Sequence, residues 1–350
     1  MNIEFYITNL LLFLFYSILV NNSSLNKKKA TLIIFVISAI QLLWIQSFYD
    51  NEKLLDSFRY ISVFQNSKFS TVASIRQDAM ANELGIGYIL YNKLISYFTN
   101  DIHLFYMVTY IIIDIPLLWY FYKVSNNYIL TFLLYICHPM LFWDSNYILR
   151  QHLAISLSAI VIYYSNKKLI SIPMALVAAS MHLSAIVIIP FLIWRELKLG
   201  KASVVKMVFM VALALLIISV LFYQLVAQSD RYSGYLTAEH NLYLVPFLLL
   251  APLVVILYVQ RRFIYKNVHE RNLFEYLLYG LVITLFSMSS SFGRITTYFI
   301  AFVPVAVPIV LKYSYKKNMI IFMYVFFLFA IELYMLYLNC NGIFKGNLIQ

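Results

Sequence analysis

Ten runs of mostly apolar residues, each close to the length of a membrane-spanning helix, divide the 350-residue chain. A helix needs about 20 such residues to cross the hydrocarbon core of a bilayer. The runs cover residues 3–20, 30–49, 104–122, 128–143, 147–164, 207–227, 242–260, 272–290, 294–311 and 319–338. Charged residues make up only 12% of the chain, whereas soluble domains carry about 25%. The sequence therefore predicts an all-α, polytopic membrane protein that forms a single membrane domain over residues 1–350.

A further apolar stretch, residues 169–194, is long for one helix and is interrupted near its middle by Ser180-Met181-His182. It fits either one crossing or a hairpin of two short helices. Cytoplasmic loops collect Lys and Arg, and each extra crossing inverts the side of every later loop. A hairpin places 17 of the 26 basic residues on one side, whereas a single crossing separates the basic segments 165–168 and 195–206. The charges favour the hairpin and predict about 12 crossings with both termini outside.

The net charge of +11 does not indicate a nucleic-acid partner, because the basic residues form short clusters between apolar runs instead of one patch. The two cysteines, Cys137 and Cys340, provide neither a disulfide framework nor a zinc-binding spacing. The run 3–20 lacks a basic leader and is expected to be a retained span. The lipid bilayer is the expected surrounding, and no metal or other cofactor is expected.

The longest polar stretch, residues 50–103, is predicted to be a loop on the outer face. Apolar residues recur at helical spacing in its second half, near 83–98: Leu84, Tyr88, Tyr91, Leu94, Ile95 and Phe98. Asn92 and Lys93 fall opposite this apolar face. The pattern predicts an amphipathic helix along the membrane interface, or a re-entrant helix.

Three ionisable residues at the outer ends of predicted spans are candidates for a functional site. Arg150 lies just inside its span, Arg294 follows the flexible segment 289–293, and His182 lies at the tip of the hairpin. Simpler accounts remain open for each side chain. An arginine can extend to the lipid headgroups, and a histidine can cap a turn. Arg231, in an outer loop, can pair with Asp230 or be solvated.

The predicted topology brings six cationic or titratable residues to the outer side of the membrane. They are Arg59, Arg76, Arg150, Arg231, Arg294 and His182. Arginine is always charged, and its planar guanidinium can bond two phosphate oxygens at once. A diphosphate headgroup is therefore a natural ligand for this side. Asp50 and Glu52 form an acidic pair, but without further ligands they are read as a hydrated loop end and not as a metal site.

Four segments resemble the EpsG/Wzy-type polymerases of bacterial exopolysaccharides, capsules and O antigens. Residues 83–95, with Glu83-Leu84-Gly85-Ile86-Gly87-Tyr88 and then an Asn-Lys-Leu-Ile helix, resemble one family segment. Arg150-Gln151-His152-Leu153-Ala154 is similar to the family's Arg-Gln-x-x-Ala span start. Residues 178–185 resemble its histidine hairpin, and residues 294–299 resemble its late arginine helix.

The resemblance implies a metal-independent glycosyltransferase with a GT-C-like membrane fold. Such an enzyme works at the outer face of the bacterial cytoplasmic membrane on undecaprenyl-diphosphate-linked oligosaccharides, alongside a chain-length regulator and a flippase. It moves the growing glycan from its lipid diphosphate to a sugar hydroxyl of the next lipid-linked unit.

The resemblance also implies roles for individual residues. Arg150 and Arg294 would neutralise the leaving diphosphate, and His182 or Glu83 would accept the proton of the attacking hydroxyl. The residues expected to bind or orient sugar and phosphate are Gln151, Arg231, Tyr235, Arg76 and Arg59.

Two other functions stay open at this point. A flippase or exporter of lipid-linked glycans also needs cations to hold a diphosphate, although no internal repeat of the kind common in transporters is visible. A ligase that transfers finished glycan to another acceptor would share the donor site. The identity of the acceptor alone distinguishes a ligase from a polymerase.

Overall fold

Helices account for the regular structure of the residues that the structure describes. The computed structural model describes residues 3–22, 27–47, 57–69, 71, 74, 84–138, 141–142, 144–196, 245–286 and 293–314, and these residues contain no strand. The all-α prediction is confirmed. The predicted spans 207–227 and 319–338 lie outside the described residues.

In chain order the helices are α1 Ile3–Asn22, α2 Lys27–Ser47, α3 Ser57–Ser67, α4 Ile86–Ser96, α5 Ile102–Val124, α6 Tyr128–Cys137, α7 Asp144–Tyr147, α8 Leu149–Tyr163, α9 Lys168–Met181, α10 Ile188–Glu196, α11 Val245–Val259, α12 Arg261–Ile264, α13 Val268–Phe286, α14 Gly293–Ile300 and α15 Val303–Tyr313. A short 3-10 helix, Leu183–Val187, joins α9 to α10.

Two of the described helices, α2 and α5, are long and apolar enough to cross a membrane, and several shorter apolar helices pack around them. The start of α5 is fixed by Asp101, whose carboxylate accepts hydrogen bonds from the backbone N–H groups of His103 and Leu104 at 2.7 and 3.3 Å. Asn127 caps α6 in the same way, through the N–H of Leu130 at 3.2 Å. The number of 12 crossings stays a prediction.

The stretch 169–194 folds as the predicted hairpin. Helix α9 ends at Met181, and the chain returns through the 3-10 helix and α10. At the end of α10, the guanidinium of Arg195 donates hydrogen bonds to Ser165 and Asn166, which precede α9. The two ends of the hairpin therefore meet at one end of the bundle, and His182 lies at the other.

Several helix ends that carry basic residues lie at the same end of the bundle as Arg195. Glu270, at the start of α13, accepts hydrogen bonds from Lys312 at 2.9 Å and from Asn126 at 3.4 Å. Phe35 of α2 packs against Tyr122 near the end of α5, with ring centres 5.5 Å apart. This end is called the basic end, and its basic residues are Lys27, Lys28, Lys29, Lys123, Lys167, Lys168, Arg195, Arg261, Arg262, Lys266, Arg271 and Lys312. All of them belong to the side on which the charge count had placed them.

The predicted span 294–311 is not one helix. The backbone turns at Ala301 and Phe302, which separate α14 from α15. Pro304 lies in the first turn of α15, where a residue without an N–H is tolerated. Two shorter helices therefore make up the predicted span 294–311, and the crossing itself stays a prediction.

The predicted amphipathic helix near 83–98 exists as α4, but its faces differ from the prediction. Asn92 is fully buried and donates a hydrogen bond from Nδ2 to the backbone oxygen of Tyr88 at 2.7 Å. Leu94 and Phe98 are instead 59% and 83% exposed. Surrounding lipid does not drive apolar side chains such as Leu94 and Phe98 into the protein. A polar side chain such as Asn92 is stabilised when it finds a hydrogen-bond partner inside the protein.

The hairpin and the charge arrangement predict which positions share a side of the membrane. After Cys137 and Cys340 are replaced with serine, single cysteines are introduced as Lys167→Cys, Lys266→Cys and Leu183→Cys, at positions that are all exposed. We expect a membrane-impermeant maleimide to label the first two from one side of the membrane and Leu183→Cys from the other. Labelling of all three from the same side would contradict the hairpin.

The ion pair between Arg195 and Glu275 is expected to stabilise the basic end. Its Nε and Oε2 atoms are 3.2 Å apart, and the side chains are only 8% and 12% exposed. Glu275→Ala leaves the arginine charge buried without its carboxylate, so the free energy of unfolding should fall by about 3–5 kcal/mol. Thermal unfolding in detergent measures the change. Arg262→Ala, at an exposed arginine of the same end, is the control and should alter stability by about 0.5 kcal/mol or less.

Candidate active site

The site is built around the point where α9 stops. His182 adopts an extended backbone conformation, with φ −147° and ψ 121°, so the helix cannot continue through it. Its N–H still donates to the oxygen of Ala178 at 3.1 Å, and its own carbonyl accepts from the N–H of Ala185 at 2.9 Å. Both backbone groups are bonded, which a break within a membrane protein requires. The position of the half-buried imidazole is therefore fixed by the backbone on both sides.

Two hydroxyl groups surround one nitrogen of this imidazole. Ser184 Oγ lies 2.5 Å from His182 Nδ1, and the hydroxyl of Tyr298 lies 3.5 Å from the same nitrogen. Ser184 also donates a hydrogen bond to the Tyr298 oxygen at 3.2 Å. Tyr298 comes from α14 and is fully buried. The hairpin and α14 thus meet at the histidine ring.

Arg150 lies in the first turn of α8 and faces the same region. Its guanidinium carbon is 5.9 Å from the centre of the Tyr88 ring, which is fully buried. The arginine therefore points toward a buried ring, and the alternative that it extends to the lipid headgroups loses its support. A cation in the first turn of a helix is also unfavourable for that helix, so α8 itself gains nothing from it.

The start of α4 completes the site through two glycines. A Cβ atom at Gly85 would overlap the backbone oxygen of Ser180 and lie 2.9 Å from that of Met181. A Cβ at Gly87 would overlap the Ser180 side chain. The glycines serve close packing, since Gly85 has an ordinary extended backbone with φ −64° and ψ 135°. The contact places Tyr88, one residue after Gly87, beside Arg150.

We call His182, Ser184, Tyr298, Arg150 and Tyr88 the His182 cluster. Together they come from all four segments of the family resemblance. Tyr88 lies at the start of α4, within the segment 83–95. Residue 294 is the second residue of α14, one helical turn before Tyr298. The structure thus brings parts of all four segments to one end of the bundle.

The other predicted site residues lie outside the His182 cluster. Gln151 follows Arg150 on α8 and is buried, whereas Arg59 is half-buried on α3. Arg59 is near the site only through its neighbour Tyr60, whose ring centre lies 5.8 Å from that of Tyr88. The remaining predicted residues lie outside the described residues: Glu83, Arg76, Arg231 and Tyr235.

Sequence reasoning assigned no role to Tyr298 or Tyr88. The available signal for Tyr298 was its spacing of four residues after Arg294, which puts both positions on one face of a helix. Tyr88 follows the glycine pair directly. Among the described residues, no group of three or more His, Cys, Asp or Glu could hold a metal ion.

The close contact of Gly85 and Gly87 with the end of α9 predicts that alanine substitutions at the two glycines respond differently to a second substitution at Ser180. Gly85→Ala and Gly87→Ala should each lower the free energy of unfolding by about 1–3 kcal/mol, because the added methyl group overpacks the break. Ser180→Gly should restore part of the loss in the Gly87→Ala protein, whose clash includes the Ser180 side chain. It should restore nothing in the Gly85→Ala protein, whose clashes are with backbone atoms. Thermal unfolding of the single and double variants in detergent gives the comparison, and equal rescue of both would refute the geometry.

Comparisons with known proteins agree with the resemblance of the four segments. The model of the EpsG family matches residues 51–346, which covers all four segments of the site. No curated protein and no solved structure matches the chain. The chain belongs to the EpsG family, and this membership supports a membrane polysaccharide polymerase in general.

Proposed function

We propose that this protein polymerises lipid-linked oligosaccharide repeat units. It transfers the growing glycan from undecaprenyl diphosphate to a sugar hydroxyl of the next lipid-linked unit, at the outer face of the bacterial cytoplasmic membrane. The observation that carries the proposal is the His182 cluster, in which the imidazole of His182 contacts the hydroxyls of Ser184 and Tyr298, and the guanidinium of Arg150 lies over the buried ring of Tyr88. A cation for a leaving anion and a base for an attacking hydroxyl are the two groups that glycosyl transfer needs.

The leaving diphosphate is assigned to the arginines. Arg150 is half-buried over the ring of the buried Tyr88, where its charge is felt more strongly than in bulk water. Arg294 lies one helical turn before Tyr298, and we propose that it binds the same diphosphate. Donors that are already in position stabilise the negative charge as it develops in the transition state.

The attacking hydroxyl is assigned to His182 or Glu83 as general base. A base of this kind contributes about 10²–10⁴-fold to a rate. Gln151, Arg231, Tyr235, Arg76 and Arg59 are proposed to orient sugar and phosphate. The transfer requires no metal ion, because the guanidinium groups take the electrostatic role that a divalent cation has in other phosphate sites.

The proposal extends to fold and partners. A GT-C-like arrangement of about 12 crossings is expected from the apolar runs and the resemblance. The lipid-linked substrate would be supplied by a flippase, and the polymer length would be set by a chain-length regulator.

The test of the proposal is the loss of polymer when either arginine is changed. Arg150→Ala and Arg294→Ala, each expressed in a host strain from which the native gene is deleted, should reduce polymer formation by about 100-fold or more. Gel analysis of the polysaccharide ladder measures the product, and immunoblotting measures the protein. A full ladder at normal protein level would remove the assignment.

Two further variants sharpen this test. Arg150→Lys keeps the charge and loses the planar fork, so a lost ladder indicates bidentate binding and a retained ladder indicates a need for charge alone. Arg262→Ala, at the basic end, is the control and should leave the ladder complete. In proteoliposomes, chain extension is expected of a polymerase, and exchange between leaflets without extension would identify a flippase instead.

A further inference from the structure

The arrangement of hydroxyls around His182 distinguishes between the two candidate bases. We propose that His182 is the general base of the transfer, and that Ser184 and Tyr298 are positioning residues that hold its imidazole with Nε2 as the basic nitrogen. This inference rests on the proposed function and adds to it the identity of the base and the residues that orient it.

Ser184 is the donor in one of its two hydrogen bonds and the acceptor in the other. Ser184 Oγ donates to the oxygen of Tyr298 at 3.2 Å, so its proton is engaged there. At 2.5 Å from His182 Nδ1, the serine oxygen then acts as acceptor, and the proton of the neutral ring resides on Nδ1. The lone pair of the imidazole is consequently on Nε2. A hydrogen bond to one ring nitrogen generally sets the state of the other.

The imidazole of His182 and the hydroxyls around it are held in fixed positions. His182 and Ser184 are two residues apart on a segment whose backbone groups are bonded on both sides of the histidine. Tyr298 is held in turn, because its backbone oxygen accepts a hydrogen bond from the hydroxyl of Tyr276 at 3.2 Å. An acid–base group held by a second group that is itself anchored is typical of catalytic sites. A histidine that merely capped the turn would need neither hydroxyl.

The base and the proposed anion site are joined by the glycine contact. Gly87 packs against Ser180, two residues before His182, and the next residue, Tyr88, lies beneath the guanidinium of Arg150. An acceptor hydroxyl and a donor diphosphate must be held a few ångströms apart for reaction, and this packing fixes the protein groups that bind them.

The resulting step balances in atoms and charge. The acceptor oxygen bonds to the anomeric carbon of the donor glycan, and its proton passes to Nε2 of His182. The bond between the anomeric carbon and the phosphate oxygen breaks, and its electron pair leaves with the diphosphate. The imidazolium that forms is stabilised by the Ser184 oxygen at Nδ1, and it returns its proton to solvent before the next transfer.

The test measures the protonation of His182 without any substrate. Diethyl pyrocarbonate modifies only the neutral imidazole, so the pH dependence of labelling, read on the His182 peptide by mass spectrometry, reports its protonation in the purified full-length protein. Ser184→Ala removes the acceptor that favours the charged ring, and half-maximal labelling should move to lower pH by about one unit. Tyr298→Phe should move it in the same direction by less, because Ser184 remains. Ser184→Thr keeps the hydroxyl and should restore the wild-type curve.

The matched control is Tyr279→Phe. Tyr279 is also fully buried, and its hydroxyl donates to the backbone oxygen of Val187 on the same hairpin at 2.8 Å. This variant should lose about as much thermal stability as Tyr298→Phe without changing the labelling curve of His182. Identical curves for wild type, Ser184→Ala and Tyr298→Phe would overturn the positioning roles.

Polymer formation in membranes that carry the endogenous lipid-linked unit tests the base itself. His182→Gln should abolish extension, and Ser184→Ala and Tyr298→Phe should reduce it by about 10-fold at neutral pH. Loss of extension in Glu83→Gln together with normal extension in His182→Gln would overturn the assignment of the base. If the wild-type protein extends no glycan, the proposed function fails, whereas a shifted labelling curve would still support the positioning of His182 by Ser184 and Tyr298.

Discussion

The close contact between the glycine pair at the start of α4 and the end of α9 is the constraint on which the His182 end of the bundle depends. Helices in a membrane gain little from apolar burial against one another and associate where small residues let their backbones approach. Gly85 and Gly87 permit such an approach to the last turn of α9, directly before the break at His182. The same contact places Tyr88 beside Arg150, so packing and the placement of charge at this end have one cause.

The charged side chains at the two ends of the bundle have different surroundings. At the basic end, Arg195 is paired with Glu275 and Lys312 with Glu270, and most of the other basic side chains are exposed. At the opposite end, the guanidinium of Arg150 lies over the buried ring of Tyr88, and in the proposed function it binds the diphosphate of the substrate.

Much of the architecture follows from patterns within the sequence. Apolar runs predict the helices, and the distribution of Lys and Arg correctly predicts that residues 165–168 and Arg195 share an end. The turn at Ala301 and the burial of Asn92 were missed, because a local apolar pattern does not record where backbone polar groups find partners. The roles of Ser184 and Tyr298 depend on a contact between residues 114 positions apart, which periodicity cannot reveal.

The link between Arg195 and Ser165–Asn166 has a mechanical consequence. Arg195 joins the two ends of the hairpin to each other and, through Glu275, to α13, so the hairpin cannot move along its axis without breaking that ion pair. In an enzyme that lengthens a polymer one unit at a time, the depth of His182 would then stay constant from cycle to cycle. The polysaccharide would move instead, and no movement of the hairpin would drive translocation of the product.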